Sequence, residues 1–168
     1  PQGNLNIPDI EETGLTFVEN AILKARNASR LSNLPALADD SGLEVDFLNG
    51  APGIYSARFS GAQANDKSNR VKLLSELASA APEKRNARYQ AVLVYLRHAN
   101  DPTPIICQGT WEGSIAVEER GDQGFGYDSI FYVPETNCHA AELDAQTKKE
   151  LSHRGKATRE FLSLLSRY

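Results

Sequence analysis

Apolar side chains recur along this chain with two different periods, and the alternation between them predicts interleaved helices and strands. In residues 16–32, Val18, Ile22, Ala25 and Ala28 fall at helical spacing. Thr16 opens a capping box: its hydroxyl can accept from the backbone three residues on, while Glu19 reaches back. Lys24 falls off the apolar stripe, beside Asn20. A short run at 34–38 leads into Asp39-Asp40-Ser41-Gly42, after which Leu43, Val45 and Phe47 alternate with Glu44 and Asp46. That pattern predicts strand, acidic turn, strand. Residues 49–53 (NGAPG) form a breaker cluster.

Residues 66–80 predict a second helix, capped by Asp66, with Val71, Leu74, Leu77 and Ala78 on one face. Residues 88–97 (RYQAVLVYLR), rich in β-branched and aromatic side chains, predict a buried strand. One or two further strands are expected over 105–117, then a glycine-rich loop at 121–126 and a strand at 129–133. A last helix is expected over 156–166. No repeat, linker or low-complexity tract interrupts the series, so one α/β domain over residues 1–168 is expected. The hairpin-like middle points to a mixed sheet.

Composition narrows the function classes. The chain has 168 residues, 40% of them hydrophobic and 24% charged, which suits a packed core and argues against disorder. The net charge is −4 and no basic run is visible, so no nucleic-acid polymer is expected as a partner. A single polyphosphate is not excluded, since a few lysines can neutralise one. No apolar run approaches the roughly 18 residues that a membrane span needs, and the first residues are no signal peptide. Cys107 and Cys138 sit in no C-x-x-C motif, and two free thiols fit a cytoplasmic protein.

Four places can carry chemistry. Glu11, Glu12, Asp39 and Asp40 supply carboxylates from two segments, the hard oxygen donors that Mg²⁺ takes; a spare carboxylate can deprotonate a water. Alone, such pairs are more often solvated turns. The loop from Gly121 through Gly124, Phe125, Gly126 and Tyr127 to Asp128 allows close backbone approach and offers two aromatics for a base. Its glycine spacing fits neither a Walker A nor a Rossmann fingerprint. Ser152-His153-Arg154-Gly155, after Lys148-Lys149, sits just before the last expected helix and can meet phosphate or base carbonyls. Residues 50–58 (GAPGIYSAR) read as turn chemistry with nothing catalytic in them.

These pieces stand together in one order. Residues 11–24 (EETGLTFVENAILK), 38–42 (ADDSG), 50–58, 124–128 (GFGYD) and 152–156 (SHRGK) closely resemble the inosine/xanthosine triphosphate pyrophosphatase family. The resemblance implies an elongated mixed sheet with flanking helices and two lobes around a nucleotide cleft. It implies a homodimer that uses Mg²⁺ to cleave ITP, dITP and XTP between the α- and β-phosphates. Carried over residue by residue, Asp40 is the general base and a metal ligand. Glu11 is the other metal position, with Glu12 and Asp39 as support. Lys24 binds phosphates, and Ser41 contacts substrate. Phe125, Gly126, Tyr127 and Asp128 hold the base, and Lys148, His153 and Arg154 contact base and phosphates. Members begin with a strand and a T/S-G-N-x-x-K loop that has no counterpart here, and this chain is expected to be an incomplete one. A non-catalytic nucleotide-binding module and a Maf-type pyrophosphatase acting on modified pyrimidine nucleotides are the alternatives.

Overall fold

The computed structural model of the chain describes residues 1–166. Helix α1 (Phe17–Ser32) starts where the capping box places it. Thr16 Oγ1 accepts from the Glu19 amide at 3.3 Å, and Glu19 Oε2 accepts from the Leu15 amide at 2.8 Å. Asn33, in the left-handed conformation, closes the helix by donating its N–H to the Ser29 carbonyl.

Among the described residues six strands form one sheet: β1 (Ala36–Val45), β2 (Pro52–Gly53), β3 (Asn86–Leu96), β4 (Ile105–Ile115), β5 (Phe131–Val133) and β6 (Cys138–His139). Their order across the sheet is β2-β1-β3-β4-β5-β6. Every pairing is antiparallel, where the sequence suggested a mixed sheet; the α/β class itself holds. The expected acidic turn is also corrected. Asp39, Asp40 and Ser41 pair with Leu93, Val92 and Ala91, so β1 runs straight through them.

Helix α2 (Asp66–Glu76) is shorter than expected and turned differently. Leu73 and Leu77 are fully buried, while Val71 is exposed. Asn65, not Asp66, is its cap: Asn65 Oδ1 accepts from the Ser68 amide at 3.0 Å. Helix α3 (Ala145–Leu151) was not foreseen. Helix α4 (His153–Leu165) begins one turn earlier than expected, with Ser152 as its cap.

The sheet is covered on both faces at one end. Val92, Val94 and Leu96 of β3 pack on Ala21 and Ala25 of α1. Ala91 and Leu93, on the opposite face, pack with Ala157 and Phe161 of α4. At the other end a larger core gathers Leu43, Tyr89, Trp111, Ile130 and Phe131. Helix α4 lies directly on the β4 backbone at Gly109, where any Cβ would overlap the His153 carbonyl and the Ala157 amide.

Candidate active site

Neighbouring residues of a strand point to opposite faces, and β1 uses this to serve two places at once. Asp40 turns toward α1, Asp39 toward α4. Lys24, on α1, donates to Asp40 Oδ1 at 2.6 Å and to Glu12 Oε1 at 3.2 Å. Arg58 donates to Glu12 Oε2 at 2.8 Å. A cluster of two carboxylates and two cations from four chain segments results. Asn20, one turn ahead of Lys24 and fully buried, ties in the incoming chain by accepting from the Gly14 amide at 2.8 Å.

The two carboxylates of this cluster are pushed apart. Burial raises the Asp40 pKa above the usual carboxylate range, against the pull of Lys24. Partial burial works in the same direction on Glu12, but Arg58 and Lys24 outweigh it and hold its carboxyl low. Environments that separate two acids in this way suit one for proton transfer and the other for fixed negative charge.

On the α4 face a cleft of about 240 Å³ opens, lined by Ser41, Gly42, Ser56, Tyr89, Phe125 and Arg154 among others. Asp39 orients its polar wall: Oδ2 accepts from Arg154 Nε at 2.8 Å, and Oδ1 accepts from Ser41 Oγ at 2.7 Å. Asp39 is thus separated from Asp40 and joined to the cleft, away from the metal-support place expected of it. Phe125 is 64% exposed, with the Arg154 and Lys148 cations 5.5 and 5.7 Å from its ring centroid. Tyr127, expected beside it as a second stacking ring, is buried instead and donates its hydroxyl to the Ser56 carbonyl at 2.8 Å.

Asp128 shapes the loop from below. Its carboxylate accepts from the Phe125 amide at 2.9 Å, from Tyr89 Oη at 3.3 Å and from Lys148 Nζ at 2.5 Å. Gly124, at φ +84°, leaves room for that ion pair, which a Cβ would strike. Gly126 is pinned from α2: its N–H donates to Asp66 Oδ2 at 2.7 Å and its carbonyl accepts from Arg70 at 2.9 Å. His153 forms the back of the cleft, its ring stacked 4.7 Å from that of Tyr89 at 9°. Burial first, then Arg154, lowers its pKa to about 3, so it stands neutral with a buried Nδ1 that has no partner.

Among the described residues no set of three or more His, Cys, Asp or Glu has the spacing to hold a metal. Glu11 is exposed and forms no ion pair with the cluster. The carboxylates gathered in space are Glu12 and Asp40, and Asp40 Oδ2 is buried without a hydrogen-bond partner. Oxygen donors of this kind fit a small hard cation. Tyr89 and Arg58 are the site residues that the sequence reading passed over. Placing Tyr89 on the side of Asp39 takes the register of β1 against β3, which the sequence does not show, and Arg58 lay in the 50–58 segment that read as turn chemistry.

The Ham1 family model matches residues 2–164, nearly the whole chain. The chain belongs to the Ham1 family. It is 56% identical over 164 residues to the dITP/XTP pyrophosphatase of Photobacterium profundum, covering 98% of this chain and 83% of the relative. The dITP/XTP pyrophosphatase of Salmonella typhimurium is also 56% identical over 164 residues, covering 98% of this chain and 83% of the relative. The solved HAM1 protein from Coxiella burnetii superposes with a TM-score of 0.95 at 50% identity, over all of this chain and 85% of that one. The Ham1 protein of Staphylococcus aureus gives 0.90 at 41% identity, over 98% and 84%. Among the described residues of this Ham1 chain, no helix is long and apolar enough to cross a membrane.

Proposed function

We propose that this chain hydrolyses non-standard purine nucleoside triphosphates, ITP, dITP and XTP, to the monophosphate and pyrophosphate. The observation that carries this reading is the two-sided use of β1, with Asp39 aiming Arg154 into a base-sized cleft and Asp40 in the charged cluster beyond it. A nucleotide needs both places, one for its ring and one for its phosphates. The family and the named activity of its close relatives support the same reaction.

The purine ring lies against Phe125 and within reach of Arg154. A 6-oxo group accepts a hydrogen bond from the guanidinium, whereas the 6-amino group of adenine presents a donor to it and makes no such bond. Ser41 and Lys148 border the same space, and Lys148 keeps the loop in place through Asp128. Lys24 directs its ammonium at the phosphates. Asp40 takes the proton of the attacking water, and its raised pKa makes it the stronger base once ionised. Asp40, with Glu12 or Glu11 beside it, would hold Mg²⁺. The ion supplies charge neutralisation for the triphosphate. The family resemblance supports a homodimer in the cytoplasm, which light scattering checks by mass.

The deciding measurement is pyrophosphate release from ITP, XTP, dITP, ATP, GTP, dUTP and m⁵UTP, with and without Mg²⁺. Release from the 6-oxo purines that carry no 2-amino group, dependent on Mg²⁺, is expected. Binding of ITP with no turnover would make the chain a nucleotide-binding module. Preference for the pyrimidine nucleotides would place it with the Maf-type enzymes.

A further inference from the structure

Residues 50–58 take no part in the reaction as described so far, yet the turn they form is tied down from three sides. Ser56 Oγ accepts from the Leu43 amide at 2.8 Å and donates to the Gly53 carbonyl at 2.6 Å. The Ser56 carbonyl accepts from Tyr127 Oη at 2.8 Å, and Asn69 Nδ2 donates to the Ala57 carbonyl at 3.1 Å. Strand β1, the base loop and α2 thus fix a single turn, and that turn ends on Arg58.

Arg58 differs from an ordinary surface ion pair. Its guanidinium lies over the Tyr55 ring, 5.1 Å from the centroid, so its plane is oriented before anything binds. It carries five N–H donors, and the side chain is 42% exposed while it gives Nη1 to Glu12. Glu12 also holds Lys24, which places Arg58 in the cluster around Asp40. The position is set relative to the ring as well. Ser41 and Ala57 both line the cleft; one follows Asp40 in sequence and the other precedes Arg58. A phosphate tail running from the cleft between these two walls would reach Asp40, beside which Arg58 and Lys24 are both held by Glu12.

We propose that Arg58 binds the pyrophosphate leaving group, its planar fork taking oxygens of the β- and γ-phosphates. This rests on the hydrolysis reading above. In that step the water oxygen bonds to the α-phosphorus and the water proton passes to Asp40. The bond from the α-phosphorus to the α,β-bridging oxygen breaks, and its electron pair leaves on that oxygen, inside pyrophosphate. Arg58 and Lys24 meet the charge that arrives there.

The test titrates inorganic pyrophosphate into the full chain by calorimetry, with inosine monophosphate as the parallel ligand, for the natural protein and for R58A, R58Q and R58K. Loss of a charged contact to phosphate is expected to weaken pyrophosphate about 10-fold or more in R58A and R58Q, with part of the loss restored in R58K. Inosine monophosphate is expected to bind all four within about twofold, because it lacks the phosphates in question. If R58A does not fold, as its melting curve will show, R58Q, which is shorter than arginine but keeps a polar stem with an N–H donor and no charge, carries the test. Unchanged pyrophosphate affinity in R58Q overturns the proposal, and so does equal weakening of both ligands. A natural protein that releases no pyrophosphate from ITP sinks the reaction itself. One that does, alongside an R58Q variant with unchanged pyrophosphate affinity, sinks only the role of Arg58.

Discussion

Asp40 holds its proton more firmly than an ordinary carboxylate because burial outweighs Lys24. Replacing it with Asn keeps the shape and removes the basic oxygen. Asp40→Asn is expected to lower ITP turnover by about 10²–10⁴-fold, as loss of a general base does, with little change in the circular-dichroism melting curve. Near-normal turnover would move the base role elsewhere. In the proposed reaction Arg154 reads the ring, so Arg154→Ala should depress ITP hydrolysis more than ATP hydrolysis, by about 10-fold or more in their ratio. Asp39→Asn should reproduce part of that loss, since it removes the charge that aims Arg154; a ratio unmoved by both substitutions rules out this donor. His153 gives a pH signature. Its folded pKa of about 3 lies below the ordinary 6.5, so between those values the unfolded chain binds more protons. Stability is therefore full above the ordinary value and falls as pH drops through the window, by up to about 1.4 kcal/mol per unit. Urea titrations near pH 7 and pH 5 should show a shallower loss in His153→Gln than in the natural protein, and equal losses would contradict the buried neutral ring.

Elements differ in how plainly their residues announced them. Helix α1 was legible because cap, stripe and Lys24 all lie within one local segment. The strand through Asp39-Asp40-Ser41-Gly42 was not, because those residue types favour turns when considered alone. Pairing with β3 overrides that preference, and Lys24 and Arg154 neutralise the two acids from outside the strand. Helix α3 spans seven residues, too few for periodicity to show. The chemistry of Glu11, Glu12, Asp40 and the base loop was visible as residue types. Their partition between two faces was not, since it depends on strand direction and on which helix covers which side. Helix α4 offers a test of the packing that creates the cleft. Gly109→Ala would drive a methyl into the helix backbone rather than into a movable side chain. Overpacking of this kind costs about 1–3 kcal/mol or more, and a denaturation midpoint equal to that of the natural protein would show that α4 can shift aside.

At the scale of the whole molecule, β3 is the best protected element. Both its edges are paired along nearly its full length, and α1 and α4 cover its two faces. The loop from residue 117 to 125 is exposed throughout and is held at few points: the Arg120, Gln123 and Phe125 amides donate to the Ser129 carbonyl, the Ala141 carbonyl and Asp128, and Glu119 pairs with Arg70. Amide hydrogen exchange is expected to be slowest in residues 91–96 and fast in 117–125, with inosine monophosphate slowing the latter. Ligand protection confined to another part of the chain would move the base site away from Phe125.

Side-chain direction in β1 alternates with residue number, and this gives nucleotide choice and cutting rate separate addresses. In the proposed reaction the odd positions, 39 and 41, would tune which ring is accepted, and the even position between them how fast its chain is severed. Libraries aimed at a new base can therefore vary the odd sites and leave the hydrolytic step alone. A single codon lost or gained just upstream would do the reverse of fine tuning: it would turn the strand over by half a period and exchange the two acids' duties.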